Sequence, residues 1–284
     1  MDSLAQISLR PLFPASVSDS EIAQKVETIR SKALAVHNYP CIANYRFVYS
    51  RAKRNQWYPQ VLDGIANKVI LDAGCCMGVE ARHMMRDGAK LVMGFDLAET
   101  FIDLGFELFG DRAQSENKFF TADFFTDDFE DRVRARLNAV DPSSGGYFDV
   151  IFLGSVLHLM NQAQVATILT RVSRLVRPGT GQIIGHTLGL PVPGPLVTPE
   201  ARVRSEALAQ RAGDRYLHSP ASLEALLRSL PCSEAHADFS APLDMAMTAG
   251  ARPDQMSPEQ ILVEGFIKTR GSRMMGFYAV RAAV

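Results

Sequence analysis

The sequence predicts an α/β protein: a mostly parallel sheet with helices on both faces, preceded by a helical N-terminal cap. Three observations predict it. Short, wholly apolar runs recur along the middle of the chain, and each interval between them is long enough for one helix. A strand covered on both faces reads as such a continuous run, whereas a half-exposed strand alternates. The composition, 47% hydrophobic and 21% charged over 284 residues, is that of a globular chain able to bury a large core.

The elements follow in order. The first 18 residues are mixed in character, contain two prolines and are expected to lie loosely on the surface. Asp19 to Val36 reads as a helix, with Ile22, Val26, Ile29 and Leu34 at helical spacing and acidic residues in the first turn. Cys41 to Arg54 continues the helical extension, with its basic residues near the end, and a short helix is expected over Tyr58–Ala66. Residues 1–66 therefore form the cap. Strands are expected at Val69–Ala73, Leu91–Asp96, Lys118–Asp123, Phe148–Ser155 and Gly181–His186. Helices are expected at Val79–Arg86, Ala98–Phe109 and Gln162–Val176. Beyond them come a proline-rich loop at Pro191–Pro195, a polar helix around Pro199–Arg211 and a Ser-Pro helix start at Ser219. Strands at Ala235–Phe239 and Met274–Val280, with a helix from Ser257 before the second, bring the sheet to seven strands. Residues 67–284 read as one domain with an inserted helical segment at about 190–217.

Composition also excludes. Lys and Arg number 30 against 31 acidic residues, a net charge of -1, which argues against a chain whose task is gripping nucleic acid or an anionic membrane. No apolar run approaches the roughly 18 residues of a membrane span. The N-terminal stretch lacks the basic and apolar regions of a secretory signal. Four cysteines without CxxC spacing or paired histidines give neither a disulfide framework nor a metal site, so a cytoplasmic protein without metal is expected.

The chemistry gathers at Asp72-Ala73-Gly74-Cys75-Cys76-Met77-Gly78. A strand ending in an acid, then a glycine turn into a helix, is expected to bring backbone N–H groups and a helix N-terminus to a ligand. Asp96, at the end of the next strand, is placed to accept hydrogen bonds from a ribose diol, although an acid there also caps the following helix. The glycine spacing lacks the compact G-x-G of a dinucleotide fingerprint, which disfavours NAD. An acid at the strand end sits poorly beside a pyrophosphate and suits a ligand carrying an ammonium group, S-adenosylmethionine.

These residues resemble the class I S-adenosylmethionine-dependent methyltransferases. LDAGCCMG is similar to their D/E-x-G-x-G-x-G first motif, with Cys76 in place of the middle glycine, and GFDLAETFIDLG to their ribose-binding motif. TADFF, FDVIFLGSVLHLM and LVRPGTGQIIGHT resemble the segments that follow, in order, so the resemblance spans about Val69–Thr187. More narrowly, Tyr39-Pro40-Cys41-Ile42, the double-cysteine turn and GFDLAETFIDLGFELFGD resemble fungal methyltransferases of meroterpenoid and related secondary-metabolite clusters. The resemblance implies a Rossmann-like fold and O-methylation of a carboxyl or hydroxyl group on a small metabolite. N- or C-methylation, and a catalytically silent cofactor-binding partner, remain the alternatives.

The resemblance also implies roles. Asp72, Gly74, Cys75, Cys76 and Gly78 line the methionine end, and Asp96 holds the ribose with Leu97 packing on the adenine. Asp123 and Phe124 meet the adenine edge and face, and Gly154 and Ser155 border the sulfonium. Cys75 and Cys76 read as small packing residues rather than a redox pair. A carboxylate acceptor needs no base, whereas a phenol does, so His158 and His186 are the candidate catalytic bases and also plausible packing histidines. His37, Tyr39, Tyr45, Tyr49 and Tyr216 are candidate acceptor contacts, and Arg202, Arg204, Arg211 and Arg215 could hold an acidic substrate. The run Arg51-Ala52-Lys53-Arg54 reads as a solvated helix end. The expected partner is a small-molecule acceptor, with no nucleic acid and no membrane; a homodimer is left open.

Overall fold

The structure, a computed structural model, describes residues 8–198, 213–239 and 269–283. Its strands are β1 (Val69–Ala73), β2 (Leu91–Asp96), β3 (Phe119–Thr121), β4 (Val150–Gly154), β5 (Gln182–Gly189), β6 (Gly194–Pro195), β7 (Tyr216–Leu217), β8 (Cys232–Phe239) and β9 (Arg273–Arg281). Seven of them form one sheet in the order β3-β2-β1-β4-β5-β9-β8, parallel except for the antiparallel β9 and β8 at one edge. β6 and β7 make a separate two-stranded ribbon. The helices are α1 (Asp19–Val36), α2 (Pro40–Ala43), α3 (Tyr58–Leu62), α4 (Val79–Arg86), α5 (Glu99–Phe109), α6 (Arg112–Ser115), α7 (Phe129–Val140), α8 (Gln162–Leu175) and α9 (Pro220–Arg228).

Every residue of β1 is buried, as a doubly covered central strand requires. Its side chains alternate between faces: Val69, Leu71 and Ala73 join a core with α7, α8 and α9, while Ile70 joins a second core with α3, α4 and α5. The chain direction across the sheet reverses between β1 and β4. In an open parallel sheet that switch point leaves a crevice at the carboxyl ends of the strands. The turn after β1 and the segment after β4 both open there.

The cap is packed on that crevice. Ser18 and Glu21 form a reciprocal capping box that starts α1, with Ser18 N–H donating to the Glu21 carboxylate at 2.7 Å. Ile22, Val26 and Ile29 of α1 then share a third core with Ile42 and Val48 of the cap and with Met77, Val79, Phe101 and Leu104 around the turn. The expectation of loose residues before Asp19 is corrected here. Leu9 and Phe13 are buried in this third core, and Arg10 donates to the Pro14 carbonyl at 2.8 Å. Cys41–Arg54 is not a continuous helix but α2 followed by 3-10 turns at Arg46–Val48 and Ala52–Arg54. Tyr45 interrupts it with a φ of 53°, held by a hydrogen bond from its hydroxyl to Glu27 and by the Arg30 guanidinium 4.6 Å from its ring. The helix expected from Tyr58 ends at Leu62, and Gly64 turns the chain into a 3-10 turn. The expected helices around Pro199–Arg211 and from Ser257 lie outside the described residues.

Candidate functional site

The turn after β1 combines three left-handed residues: Gly74 at φ 77°, Cys76 at 52° and Gly78 at 65°. A Cβ on Gly74 would fall 2.5 Å from Val156, and one on Gly78 would fall 2.6 Å from the Phe119 ring. The turn is braced from below. Arg82 of α4, 6% exposed, donates to the Met77 and Gly78 carbonyls at 2.9 and 3.1 Å, and grips Asp111 through two hydrogen bonds of 2.7 and 2.8 Å. The Phe109 and Phe119 rings flank its guanidinium at 4.4 and 4.8 Å. α5 closes the other side so tightly that a Cβ on Gly105 would lie 2.4 Å from the Met77 carbonyl oxygen.

The expectation of free backbone donors in this turn is corrected. Gly74 and Cys75 N–H both donate to the Phe95 carbonyl, at 2.9 and 2.8 Å; Cys76 N–H donates to Asp96 at 2.8 Å and Gly78 N–H to Cys75 at 2.8 Å. A pyrophosphate at a helix N-terminus needs such donors open to it. Here they are spent internally, and the turn offers a ligand close backbone approach instead. Asp72 lies beneath the turn at 2% exposure, with Oδ2 lacking a hydrogen-bond partner among the described residues. Burial, reinforced by Glu80, raises its carboxyl well above the ordinary range, against a hydrogen bond from the Ala81 N–H. A cation bound over the turn would favour its charged form.

Cys76 occupies the place where the resemblance has glycine, yet keeps the left-handed backbone that glycine adopts freely. A side chain there costs about 1 kcal/mol. Cys76→Gly is accordingly expected to raise the denaturant midpoint by the equivalent of about 1 kcal/mol. A lower midpoint would show that packing of the thiol against the cap outweighs the backbone term. Burial raises the Cys75 and Cys76 thiols well above their ordinary value, so neither is a thiolate at neutral pH.

At the end of β2 the Asp96 carboxylate accepts from Cys76 N–H and, at 3.1 Å, from Ala98 N–H. These bonds aim it across the mouth of the turn, and burial raises its carboxyl. Beside it Leu97 is 71% exposed, an apolar side chain left uncovered at the sheet's carboxyl edge. Asp123, after β3, is tied to Phe125 N–H at 2.9 Å. Phe124 does not present its ring to the crevice as expected. It is 7% exposed and packs edge-on against Phe95 at 5.0 Å, while its neighbour Phe125 is 38% exposed.

The other side of the crevice lies past β4. Gly154 ends the strand opposite His186 of β5, and Ser155 follows with a φ of 62°, its N–H donating to the His186 carbonyl at 2.8 Å. A non-glycine residue held in this conformation is the kind of strain that clusters at functional sites. Onto the Ser155 hydroxyl folds Arg51 of the cap, with Nη1 2.5 Å from Oγ. The reading of Arg51 as part of a solvated helix end is thus corrected: it points inward, whereas Lys53 pairs with Asp87 at the surface, at 2.7 Å. Arg51 is placed by Glu80 in the first turn of α4. That carboxylate accepts from Ser50 Oγ at 2.9 Å, from Ala52 N–H at 3.3 Å and from Arg51 N–H.

His158 and His186 come together here, both held neutral. Burial, assisted by Arg51, Arg215 and Arg46, pushes His158 down to about 3, with Nδ1 3.4 Å from the Thr187 hydroxyl. Burial, then Arg51 and His158, lowers His186 well below the ordinary value, and neither of its ring nitrogens has a partner among the described residues. The cap candidates divide. Tyr39 reaches the site; burial and the nearby Asp96 raise its hydroxyl, and its ring lies 3.9 Å from the exposed His37 ring. Tyr45 is turned onto α1. Tyr49 lies 5.8 Å from the Arg54 guanidinium. Tyr216, on β7, donates its N–H to the Met160 carbonyl at 2.9 Å, beside the segment that carries His158. Arg215 acts on both Tyr39 and His158, while Arg202, Arg204 and Arg211 lie outside the described residues.

Comparisons with known proteins agree with the fold. A methyltransferase-domain model matches residues 70–179, and a meroterpenoid methyltransferase N-terminal-domain model matches residues 15–48. The O-methyltransferase atr3 of Stereocaulon alpinum is 32% identical over 192 residues, covering 63% of this chain and 53% of that protein. The O-methyltransferase phiE of a fungal species is 28% identical, covering 77% of this chain and 69% of its own length. The asnovolin E/chermesin D methyltransferase nvfJ of Aspergillus novofumigatus is 27% identical, covering 61% and 62%. The chain thus spans about half to two thirds of the relatives it matches. Among solved structures, a geranyl diphosphate methyltransferase bound to substrate and sinefungin superposes with a TM-score of 0.55 at 12% identity, covering 84% of this chain and 83% of that one. A Haemonchus contortus phosphoethanolamine N-methyltransferase bound to S-adenosylhomocysteine gives 0.51 at 16%, covering 79% and 52%. On this fold the chain carries an S-adenosylmethionine-dependent methyltransferase domain at residues 70–179, preceded at residues 15–48 by a match to the N-terminal domain of the meroterpenoid methyltransferases.

Proposed function

We propose that the protein is an O-methyltransferase that esterifies a carboxylate of a small secondary metabolite, with S-adenosylmethionine as methyl donor. The residues around the turn fit that cofactor. Asp96 keeps acceptor capacity for a diol, Leu97 and Phe125 leave apolar surface for a purine, and the turn carries a buried acid and no free phosphate-binding donors among the four N–H groups traced above. When bound, S-adenosylmethionine supplies an electrophilic methyl group and departs neutral. The chain's own task is then to align an oxygen lone pair with that methyl and to exclude water. The cap does the excluding, since its core is continuous with Met77 and Val79 at the turn.

The observation that carries the choice of acceptor is the state of the histidines. A phenol ionises near pH 10 in water, and His158, pushed down to about 3, is a weak base toward it. A carboxylate is already ionised at neutral pH and asks for no base. Arg46, Arg51 and Arg215, all acting on His158, favour an anion at that position. The names of two fungal relatives, both O-methyltransferases, support methylation on oxygen.

The pH profile tests it. His158 loses its proton as pH rises through about 3 and stays neutral above. With a carboxylic acid as acceptor, kcat/KM for that acceptor is therefore expected to be flat between about pH 6 and 8. A tenfold fall per unit below about pH 6.5 would mark an ordinary histidine acting as base and would contradict the proposal.

A further inference from the structure

We propose that Arg51 is the residue that selects the acceptor, by pairing its guanidinium with the acceptor's carboxylate at the mouth of β4 and β5; this rests on the O-methyltransferase reading above. Three observations place it. A guanidinium carries five N–H donors in a fixed fork. Arg51 spends one of them, on the Ser155 hydroxyl at 2.5 Å; Glu80 acts on it through space, but no carboxylate among the described residues hydrogen-bonds to its fork, although it is partly withdrawn from solvent. A cation half out of water with most of its donors unspent is costly unless an anion completes it.

Position is the second observation. The adenosine side of the crevice is built by Asp96 and Leu97 at the end of β2. Arg51 sits on the other side of the switch point, on Ser155 after β4, where it acts on His158 and His186. Arg46 and Arg215 also act on His158, but Arg51 is the guanidinium that acts on both imidazoles.

The third observation is how firmly Arg51 is held. Glu80 does not pair with its side chain; it fixes the backbone of residues 50–52 through Ser50 Oγ and the Arg51 and Ala52 N–H groups. The same helix, α4, begins at the cofactor turn. Glu80 is thus a positioning residue that sets Arg51 relative to that turn, leaving the fork free for a planar, two-oxygen ligand.

The test uses the whole protein loaded with S-adenosylhomocysteine and compares binding of benzoate and farnesoate with that of their methyl esters by calorimetry, in wild type, Arg51→Met and Arg51→Lys. Wild type is expected to bind each acid at least tenfold more tightly than its ester, the minimum for a charge-assisted pair. Arg51→Met is expected to abolish that preference and Arg51→Lys to keep part of it, all three proteins binding S-adenosylhomocysteine within twofold and melting cooperatively. An acid-to-ester ratio near one in wild type, or one unchanged in Arg51→Met, overturns the proposal. So does loss of S-adenosylhomocysteine binding in Arg51→Met with the ratio intact, because Arg51 would then hold the cofactor's own carboxylate. If wild type fails to bind S-adenosylhomocysteine at all, it is the methyltransferase reading that falls.

Discussion

Arg82→Met is expected to cost about 3 kcal/mol of folding stability and to weaken S-adenosylhomocysteine binding at the same time. Breaking a buried ion pair by removing one partner leaves the other uncompensated, typically at 3–5 kcal/mol, and the lower figure applies because Asp111 is 25% exposed and regains water. The coupling to the ligand comes from the other end of the side chain. Nη1 holds the Met77 and Gly78 carbonyls, so its loss frees the turn to relax. Arg82→Lys should rescue little, since an ammonium cannot serve the Asp111 fork and both carbonyls while lying between the Phe109 and Phe119 rings. Denaturant titration together with calorimetry checks this. A variant of unchanged stability would show that the Arg82–Asp111 pair is no better than a surface contact.

Asp96→Ala is expected to weaken the cofactor by about 1.5–3 kcal/mol, roughly 10- to 150-fold, the worth of charge-assisted hydrogen bonds to a ribose diol. The carboxylate also accepts the Cys76 and Ala98 N–H groups, so part of the loss would come from a loosened turn. Asp96→Asn separates the two contributions. It keeps one carbonyl acceptor for the backbone but loses the charge, and should retain fold stability while still binding the cofactor more weakly. Affinity unchanged in Asp96→Ala would remove Asp96 from the ribose site.

The strands were legible because burial on both faces writes an unbroken apolar run. Val69–Ala73 and Leu91–Asp96 match the observed strands residue for residue. Helix α7 fills an interval read as long enough for one helix but given no bounds, although Phe129, Val133 and Leu137 recur every four residues on its buried face. The cap was legible as far as α1, whose period is regular. Past Pro40 the sequence is rich in aromatic and basic residues, and its path is set by tertiary partners, Glu27 for Tyr45 and Glu80 for Ser50–Ala52.

The site was legible where its chemistry depends on local geometry. Gly74, Gly78 and Asp96 follow from a strand, a turn and a strand, and the structure brings them together. Arg51, Glu80 and Arg82 were missed because nothing local separates an arginine that turns inward from one in water. Arg51 and Lys53 lie in one basic run, yet the first reaches Ser155 and the second pairs with Asp87 at the surface. The histidines were legible in position only. Position at the strand ends identified His158 and His186, but their protonation is set by burial and by cationic neighbours distant in sequence. Phe124 and Phe125 show the smallest margin: one residue of register exchanges the ring in the core for the ring at the surface.

The central claim is that the turn after β1 receives S-adenosylmethionine and not a pyrophosphate, and a calorimetric titration of the wild-type protein tests it directly. S-adenosylhomocysteine, added to one sample, should bind with a stoichiometry near one, while NAD, added to another, should give no heat beyond dilution. Saturable binding of NAD with silence toward S-adenosylhomocysteine would contradict the account.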